Sequence, residues 1–157
     1  MDLSRWFHDQ LAASADGFVW AVRQVPPERR TVQPPAELGL GEWGARGHTF
    51  HLYTYERYIA LPSMSQWLGG PEPSLADSEP HIKAAWDVDR DLDSLLAKFR
   101  VGRDEQIALL ARVDEALWEE ERHTVWGDVS LRWVVTKTYQ HNAEHTHDVL
   151  RLALFWP

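Results

Sequence analysis

Apolar side chains recur at three- and four-residue steps along most of this chain, which is the spacing that places them on one face of an α-helix. The first periodic stretch runs from about Leu3 to Arg23 and stops before Pro26–Pro27, because proline cannot continue a helix. The second runs from near Trp43 to near Pro62, the third from about Lys83 to Glu120, and the fourth from about Ser130 to Phe155. The pattern therefore predicts four helices, and no sustained period-two alternation indicates a strand.

Segments rich in proline and glycine separate the periodic stretches. The segment from Glu28 to Gly41 is predicted to be a loop. The segment from Pro62 to Pro80 is long enough for a crossover connection, and Gly102 marks a point where the third helix would break in two. We therefore predict one all-α domain over residues 1–157, a four-helix bundle with a long connection between helices 2 and 3. Another all-α arrangement is the alternative.

The fourth stretch carries histidines on the face that is predicted to be buried. At 100° per residue, its inward stripe comprises Leu131, Val134, Thr138, His141, His145, Val149 and Leu152. A buried imidazole without hydrogen-bond partners costs roughly 1–3 kcal/mol, so two of them on one seam need a shared partner. A metal ion would provide it, because residues four apart on a helix present their nitrogens to the same point. His147 lies on the polar side and is expected in solvent.

A third ligand is expected from a facing helix. The second predicted helix offers His48 and His51, three residues apart on or beside its inward stripe, and helical phase alone does not choose between them. The alternative is that each imidazole forms ordinary hydrogen bonds in the core, for which Tyr55, Tyr58 and Glu144 are available.

The segment HNAEH also has the form H-x-x-E-H, which in inverted zinc metalloproteases supplies two histidine ligands and a glutamate base. Metalloproteases of that type look like large multidomain proteins, and their further acidic ligand lies far downstream of the motif. Only a short segment follows His145 here, so we do not expect a protease.

Composition removes several function classes. The formal net charge of -8 opposes binding to nucleic-acid phosphates, and the absence of cysteine excludes disulfides, thiolate metal sites and a cysteine nucleophile. No apolar run approaches the roughly 20 residues that span a bilayer, and the N-terminal segment lacks the features of a signal peptide. We expect a cytoplasmic protein without nucleic-acid or membrane partners.

The chain resembles the DinB-like superfamily of damage-inducible proteins. The segment EWGARGHTFHLYTYERY is similar to the family's pattern of a tryptophan, a histidine–leucine pair and a glutamate, matched here by Trp43, His51, Leu52 and Glu56. The segment QHNAEHTHDVLR is similar to the family's H-N-A-x-H followed by an apolar helix end. The third point of resemblance is a segment rich in proline and glycine that precedes the long third predicted helix.

The resemblance implies an up-down-down-up four-helix bundle that holds a divalent ion through three histidines, which carry over to His51, His141 and His145. It thereby selects His51 rather than His48. The ion would be zinc, nickel, iron or manganese, and homodimers are common in the family. Related families are implied to be thiol-dependent transferases or isomerases, in which the ion activates the sulfur of an external low-molecular-weight thiol.

Glu56 and Glu144 are candidates for orienting a ligand from behind or for acting as a general base. The alternative for both is a solvated surface carboxylate. The sequence identifies no other catalytic residue and no substrate.

Three functions follow from these observations. The first is a metal-dependent transferase or hydrolase acting on a small molecule, which a polar pocket beside the ion would favour. The second is a non-catalytic metal-binding protein of the stress response, which an aromatic seal by Trp133, Tyr55 or Tyr139 would favour. The third is a structural bundle without metal, in which every imidazole bonds to protein.

Overall fold

The computed structural model describes residues 2–88 and 90–157 and is mostly helical with one small sheet. Its helices are α1 (Leu3–Gln24), α2 (Ala45–Tyr55), α3 (Leu61–Ser65), α4 (Leu75–Val88), α5 (Leu92–Leu110) and α6 (Leu131–Phe155). Strands β1 (Glu121–Thr124) and β2 (Gly127–Ser130) pair antiparallel, with Glu121 opposite Ser130. Position 1 of the predicted domain and position 89 of the predicted third helix lie outside the described residues. Within the described part of the chain, none of the helices combines the length and the apolarity needed to cross a membrane.

Four of the helices make most of the tertiary contacts. Helix α1 packs against α5 and α6, and α2 packs against the same two helices. Their apolar side chains form two clusters, one around Phe18, Leu52 and Phe99 and the other around Leu11 and Trp118. Along α5 and α6, buried polar residues lie between the members of the two clusters, and this polar layer carries the groups described below.

Side-chain caps fix the starts of the long helices. The carboxylate of Asp2 accepts a hydrogen bond from the Arg5 N–H, Asp91 accepts one from Ser94 at 2.8 Å, and Ser130 caps α6. Such a cap satisfies a backbone donor that has no partner inside the helix. The predicted bounds of the first and fourth helices agree with α1 and α6 to within a residue.

The second predicted helix does not end at Pro62, so that prediction was wrong. Helix α2 continues through one π-helical turn, Glu56–Ala60, directly into α3. Proline lacks the N–H that would bond the carbonyl four residues earlier, which is that of Tyr58. The hydroxyl of Ser78 in α4 lies 3.1 Å from this carbonyl and 2.9 Å from the Ser74 carbonyl, and it can donate to either. A neighbouring segment thus offers a donor to the group that would otherwise have favoured a helix end.

The predicted third helix is divided, but not where the sequence suggested. The division falls between α4 and α5, after Val88, and α4 begins within the predicted crossover with Pro80 inside it. Gly102 lies in the middle of an unbroken α5. A Cβ at that position would make an ordinary van der Waals contact, 3.5 Å from the Cβ of Glu56, so packing does not require glycine there.

The β-hairpin is absent from the sequence-based prediction. Each strand has only four residues, too few for alternation to be recognised. Gly127 supplies a positive φ of 90° at the turn, which glycine adopts without steric cost. The indole of Trp67 donates to the Glu120 carbonyl at 2.8 Å, and the Arg122 guanidinium donates to the Gln66 carbonyl. These two bonds attach the hairpin to the segment that follows α3.

Candidate metal centre

The structure brings together the three histidines predicted to bind a metal. His51 comes from α2, and His141 and His145 lie one turn apart on α6. The Nε2 atoms of His51 and His141 are 3.0 Å apart, and those of His141 and His145 are 3.1 Å apart. One nitrogen from each ring lies within 4.8 Å of the others, so this three-histidine cluster could hold a metal ion.

The spacing of these nitrogens fits a shared ion. Two imidazole nitrogens bound to one tetrahedral zinc at about 2.0 Å lie about 3.3 Å apart. The two Nε2–Nε2 distances of 3.0 and 3.1 Å are close to that value. A neutral imidazole carries one N–H, so His141 Nε2 can donate to only one of its two nitrogen neighbours. Hydrogen bonds alone therefore cannot pair all three converging nitrogens, whereas a cation can bind the lone pairs of all three.

Burial keeps these imidazoles neutral. It lowers the pKa of His51 to about 4 and that of His145 to about 4, with the neighbouring histidine charges adding to the effect. Burial, followed by the charges of His145 and His51, lowers the pKa of His141 to about 3. A metal ligand must present an unprotonated nitrogen. At neutral pH all three rings therefore offer lone pairs without first losing a proton.

The ring nitrogens that face away from the cluster have different surroundings. When Nε2 binds a metal, the ring proton moves to Nδ1 and normally finds an acceptor. His145 Nδ1 lies 2.9 Å from His48 Nδ1, which can accept that proton. His141 Nδ1 is buried and has no hydrogen-bond partner among the described residues. Part of the hydrogen-bonding capacity of the cluster is thus left unused by the protein.

His48 belongs to the same group of rings, which the choice of His51 over His48 did not anticipate. It is 5% exposed, and burial lowers its pKa. Its Nδ1 contacts His145 from the side opposite the three-histidine cluster. His48, His145 and Asp148 form a second set whose donor atoms lie within 4.8 Å of one another. The two sets share His145.

A cavity of about 300 Å³ opens beside this second set. Its lining includes Glu42, His48, His145, Asp148 and Arg151, with two carboxylates and one guanidinium among them. Arg151 is held in place by a hydrogen bond of 3.0 Å to a loop carbonyl. The cavity lies at the lower end of the size range of small-molecule pockets.

Two aromatic rings border the histidines. Tyr55 packs on His141 with a centroid distance of 4.1 Å, and burial raises the pKa of its phenol to about 12. Trp43 lies 4.9 Å from His51 and 6.1 Å from His145 between ring centroids. Trp43 is 39% exposed, so it forms a wall of the site rather than a seal.

The loop before α2 positions Trp43. The Arg46 N–H at the start of α2 donates to the Arg30 carbonyl at 2.8 Å, which holds the loop against the helix. A Cβ at Gly44 would lie 2.0 Å from the Val32 carbonyl oxygen. Only glycine permits this approach, so Gly44 is needed to place the neighbouring Trp43 beside the histidines.

Glu56 is completely buried, which removes the alternative of a surface carboxylate for this residue. Its carboxylate accepts hydrogen bonds from Arg103 Nη2 at 2.6 Å and Arg103 Nε at 3.2 Å. Arg103 also donates to Asn142 Oδ1 at 3.2 Å and to Ser14 Oγ at 3.0 Å. This ion-pair network of Glu56, Arg103 and Asn142 connects the π-helical turn after α2 with α5 and with α6, where Asn142 directly follows His141.

Glu144 and His147 lie on the outer side of α6. The carboxylate of Glu144 is exposed and accepts a hydrogen bond from Gln140 at 2.9 Å rather than from a histidine. Its negative charge still acts on His145, whose pKa it raises against the lowering by burial. His147 is exposed, as its helical phase predicts.

Sequence reasoning missed Arg103 and Asn142. Arg103 follows Phe99 by four residues and precedes Gln106 by three, so it shares their buried face of α5. A charged residue at such a position signals a buried partner. Asn142 is fully buried, whereas His141 and His145 are partly exposed. The buried stripe of α6 therefore centres beside the histidines rather than on them.

No family model matches this chain, and neither a curated protein nor a solved structure was found to match it.

Proposed function

We propose that this protein is a DinB-like, divalent-metal-dependent enzyme that acts on a small molecule as a thiol-dependent transferase or a hydrolase. The observation that carries the proposal is the convergence of ring nitrogens from His51, His141 and His145 within 4.8 Å of one another. The proposal includes an up-down-down-up four-helix bundle. The contacts of α1 and α2 with α5 and α6 support this arrangement.

His51, His141 and His145 would hold the ion through Nε2. A divalent ion on three imidazoles supplies Lewis acidity and lowers the pKa of a water or thiol at its open position. With the ion bound, His48 Nδ1 would accept a hydrogen bond from the Nδ1–H of His145 and so fix the tautomer of that ring. The ion-pair network holds α2 and α6 at a set distance, which keeps His51 opposite the pair on α6.

The cavity that His145 lines on its His48 side supports a small-molecule substrate over a sealed metal store. Trp43 supplies an apolar wall, and Glu42, Asp148 and Arg151 supply charged groups that can orient a polar ligand. The chain has no cysteine, so a thiol-dependent reaction would use an external thiol. The resemblance also implies a homodimer, which is part of the same proposal, whereas a stress-response role belongs to the non-catalytic alternative.

The first test measures metal content by elemental analysis after incubation with zinc, nickel or manganese, followed by removal of unbound ion. We expect one tightly bound ion per chain, lost in His51→Ala and kept in His147→Ala. Equal metal content in His51→Ala and in the unaltered chain would reject the three-histidine site.

The second test concerns turnover. The metal-loaded protein is assayed against panels of small electrophiles and esters, with and without an added low-molecular-weight thiol. A rate that requires both metal and thiol supports a transferase, and a rate that requires metal alone supports a hydrolase. Full metal binding without turnover under either condition would favour the non-catalytic alternative. Light scattering of the same sample tests the dimer.

A further inference from the structure

We propose that His48, His145 and Asp148 form a second divalent-cation site that shares the imidazole of His145 with the three-histidine site. The proposal goes beyond the function above, but it rests on the first site because His145 belongs to both. The observation that supports the proposal is that each of the two ring nitrogens of His145 faces another histidine. His145 Nε2 faces His141 at 3.1 Å, and His145 Nδ1 faces His48 at 2.9 Å.

The donors of the second set come from two helices. His145 and Asp148 lie three residues apart on α6, which places them on one side of that helix, and His48 is on α2. The donor atoms lie within 4.8 Å of one another. Two imidazoles and one carboxylate are a usual ligand set for zinc when a solvent position stays open. The adjoining cavity of about 300 Å³ leaves room for that open position.

Among the described residues, the cationic groups recorded beside the Asp148 carboxylate make only long contacts with it. His147 Nδ1 and Arg151 Nη1 each lie 3.9 Å from its Oδ1, beyond hydrogen-bonding distance. The negative charge of Asp148 acts on both imidazoles, since it raises the pKa of His48 and of His145 against the lowering by burial. A carboxylate in this position favours positive charge between the rings.

Loading both sites changes the protonation of His145. With one ion on Nε2, the ring keeps its Nδ1 proton and donates it to His48. The second ion replaces that proton, which passes to the solvent, and the imidazolate of His145 then bridges two ions. Arg151 places a positive charge near Asp148. For both reasons the second ion binds more weakly than the first, and its affinity rises with pH.

The test titrates metal-free protein with zinc chloride by calorimetry. We expect two sequential ions per chain in the unaltered protein, and one in His48→Ala and in Asp148→Asn. His51→Ala should lose the tight ion, and His147→Ala, an exposed histidine on the same helix, should keep both. Circular dichroism of each variant checks the fold. One ion in the unaltered chain, unchanged in His48→Ala and Asp148→Asn, would overturn the second site and leave the first intact. No ion in any of these proteins would reject the proposed function as well.

Copper tests the shared ligand directly. Two Cu²⁺ ions joined by an imidazolate couple magnetically, so the electron paramagnetic resonance signal of the fully loaded protein should be weaker than that of two independent ions. Asp148→Asn should show the full signal of one ion. Two ions with the full intensity of two uncoupled centres would overturn the bridge. A second ion that binds equally well in His48→Ala would also contradict the site.

Discussion

Two polar regions lie side by side between α2 and α6, and they differ in how completely the protein satisfies them. In the ion-pair network, Arg103 donates to both oxygens of Glu56 and to Asn142 and Ser14. In the three-histidine cluster, ring nitrogens face one another, and His141 Nδ1 has no partner among the described residues. The first region is closed, whereas in the second the Nε2 atoms converge on a common point and the outward-facing His141 Nδ1 is left unused as well.

This difference separates a structural role from a binding role. Glu56 and Arg103 are 0% and 1% exposed, and a buried charge pair persists only when its hydrogen bonds are made. The three histidines are partly exposed, and one of them, His145, lines a cavity. We infer that the network fixes the helix spacing while the cluster receives the ligand. The predictions below test that division, beginning with the largest expected effect.

Replacing Glu56 should cause the greatest loss of stability. Glu56→Gln leaves the buried Arg103 without its counter-charge, and breaking a buried pair in this way costs about 3–5 kcal/mol of unfolding free energy. Urea denaturation measures it. The matched control is Glu105→Gln, which removes the partner of Arg57 from an exposed pair at 3.0 Å. That change should cost about 0–1 kcal/mol. Similar losses in the two variants would show that the network is not structural.

Replacing His145 should abolish metal binding with a much smaller effect on folding. Removal of a direct ligand should weaken binding by more than the ~10–100-fold caused by loss of an outer-shell partner. His147→Ala changes the same residue type two positions away, where the side chain is 74% exposed, and should leave the affinity unchanged. Zinc affinity is measured by competition with a chromophoric chelator. Parallel behaviour of the two variants would contradict the assigned helix faces.

Acid should destabilise the metal-free protein through the histidine cluster. The pKa of His51 is lowered to about 4 and that of His141 to about 3, both from 6.5. Between pH 6.5 and these lowered pKa values, the unfolded chain binds protons that the folded chain does not. The free energy of unfolding therefore decreases as pH falls below 6.5. Above 6.5 the contribution is complete and constant.

The measurement for this prediction is urea unfolding, with a chelator present, across that pH range. His141→Gln removes the most strongly shifted group and should make the dependence on pH shallower, whereas His147→Gln should not change it. A dependence as steep in His141→Gln as in the unaltered chain would assign the effect to other groups.

The smallest effect should come from the cap of α6. Ser130→Ala removes the acceptor for the Trp133 N–H, at a cost of about 0.5–2 kcal/mol. Because the histidines begin more than two turns further along α6, zinc affinity in the folded state should be unchanged. Thermal unfolding and a zinc titration on one sample check both statements. A parallel loss of affinity would show that the site depends on overall helix stability.

The sequence by itself determined much of the helical framework. Regular apolar spacing predicted the bounds of α1 and α6 almost to the residue, because this signal is local. The same helical phase put His141 and His145 on one side of α6 and His147 on the other, as the structure has them.

Only the tertiary structure decided the remaining features, because each depends on a partner distant in sequence. The helical segment continues through Pro62, where a hydroxyl on α4 reaches the Tyr58 carbonyl. Glu56 is buried since Arg103 on α5 neutralises it, and His48 joins the cluster since α2 packs where it faces His145. Helical phase gives the direction of a side chain from its own axis, whereas the group that it meets depends on how the helices pack.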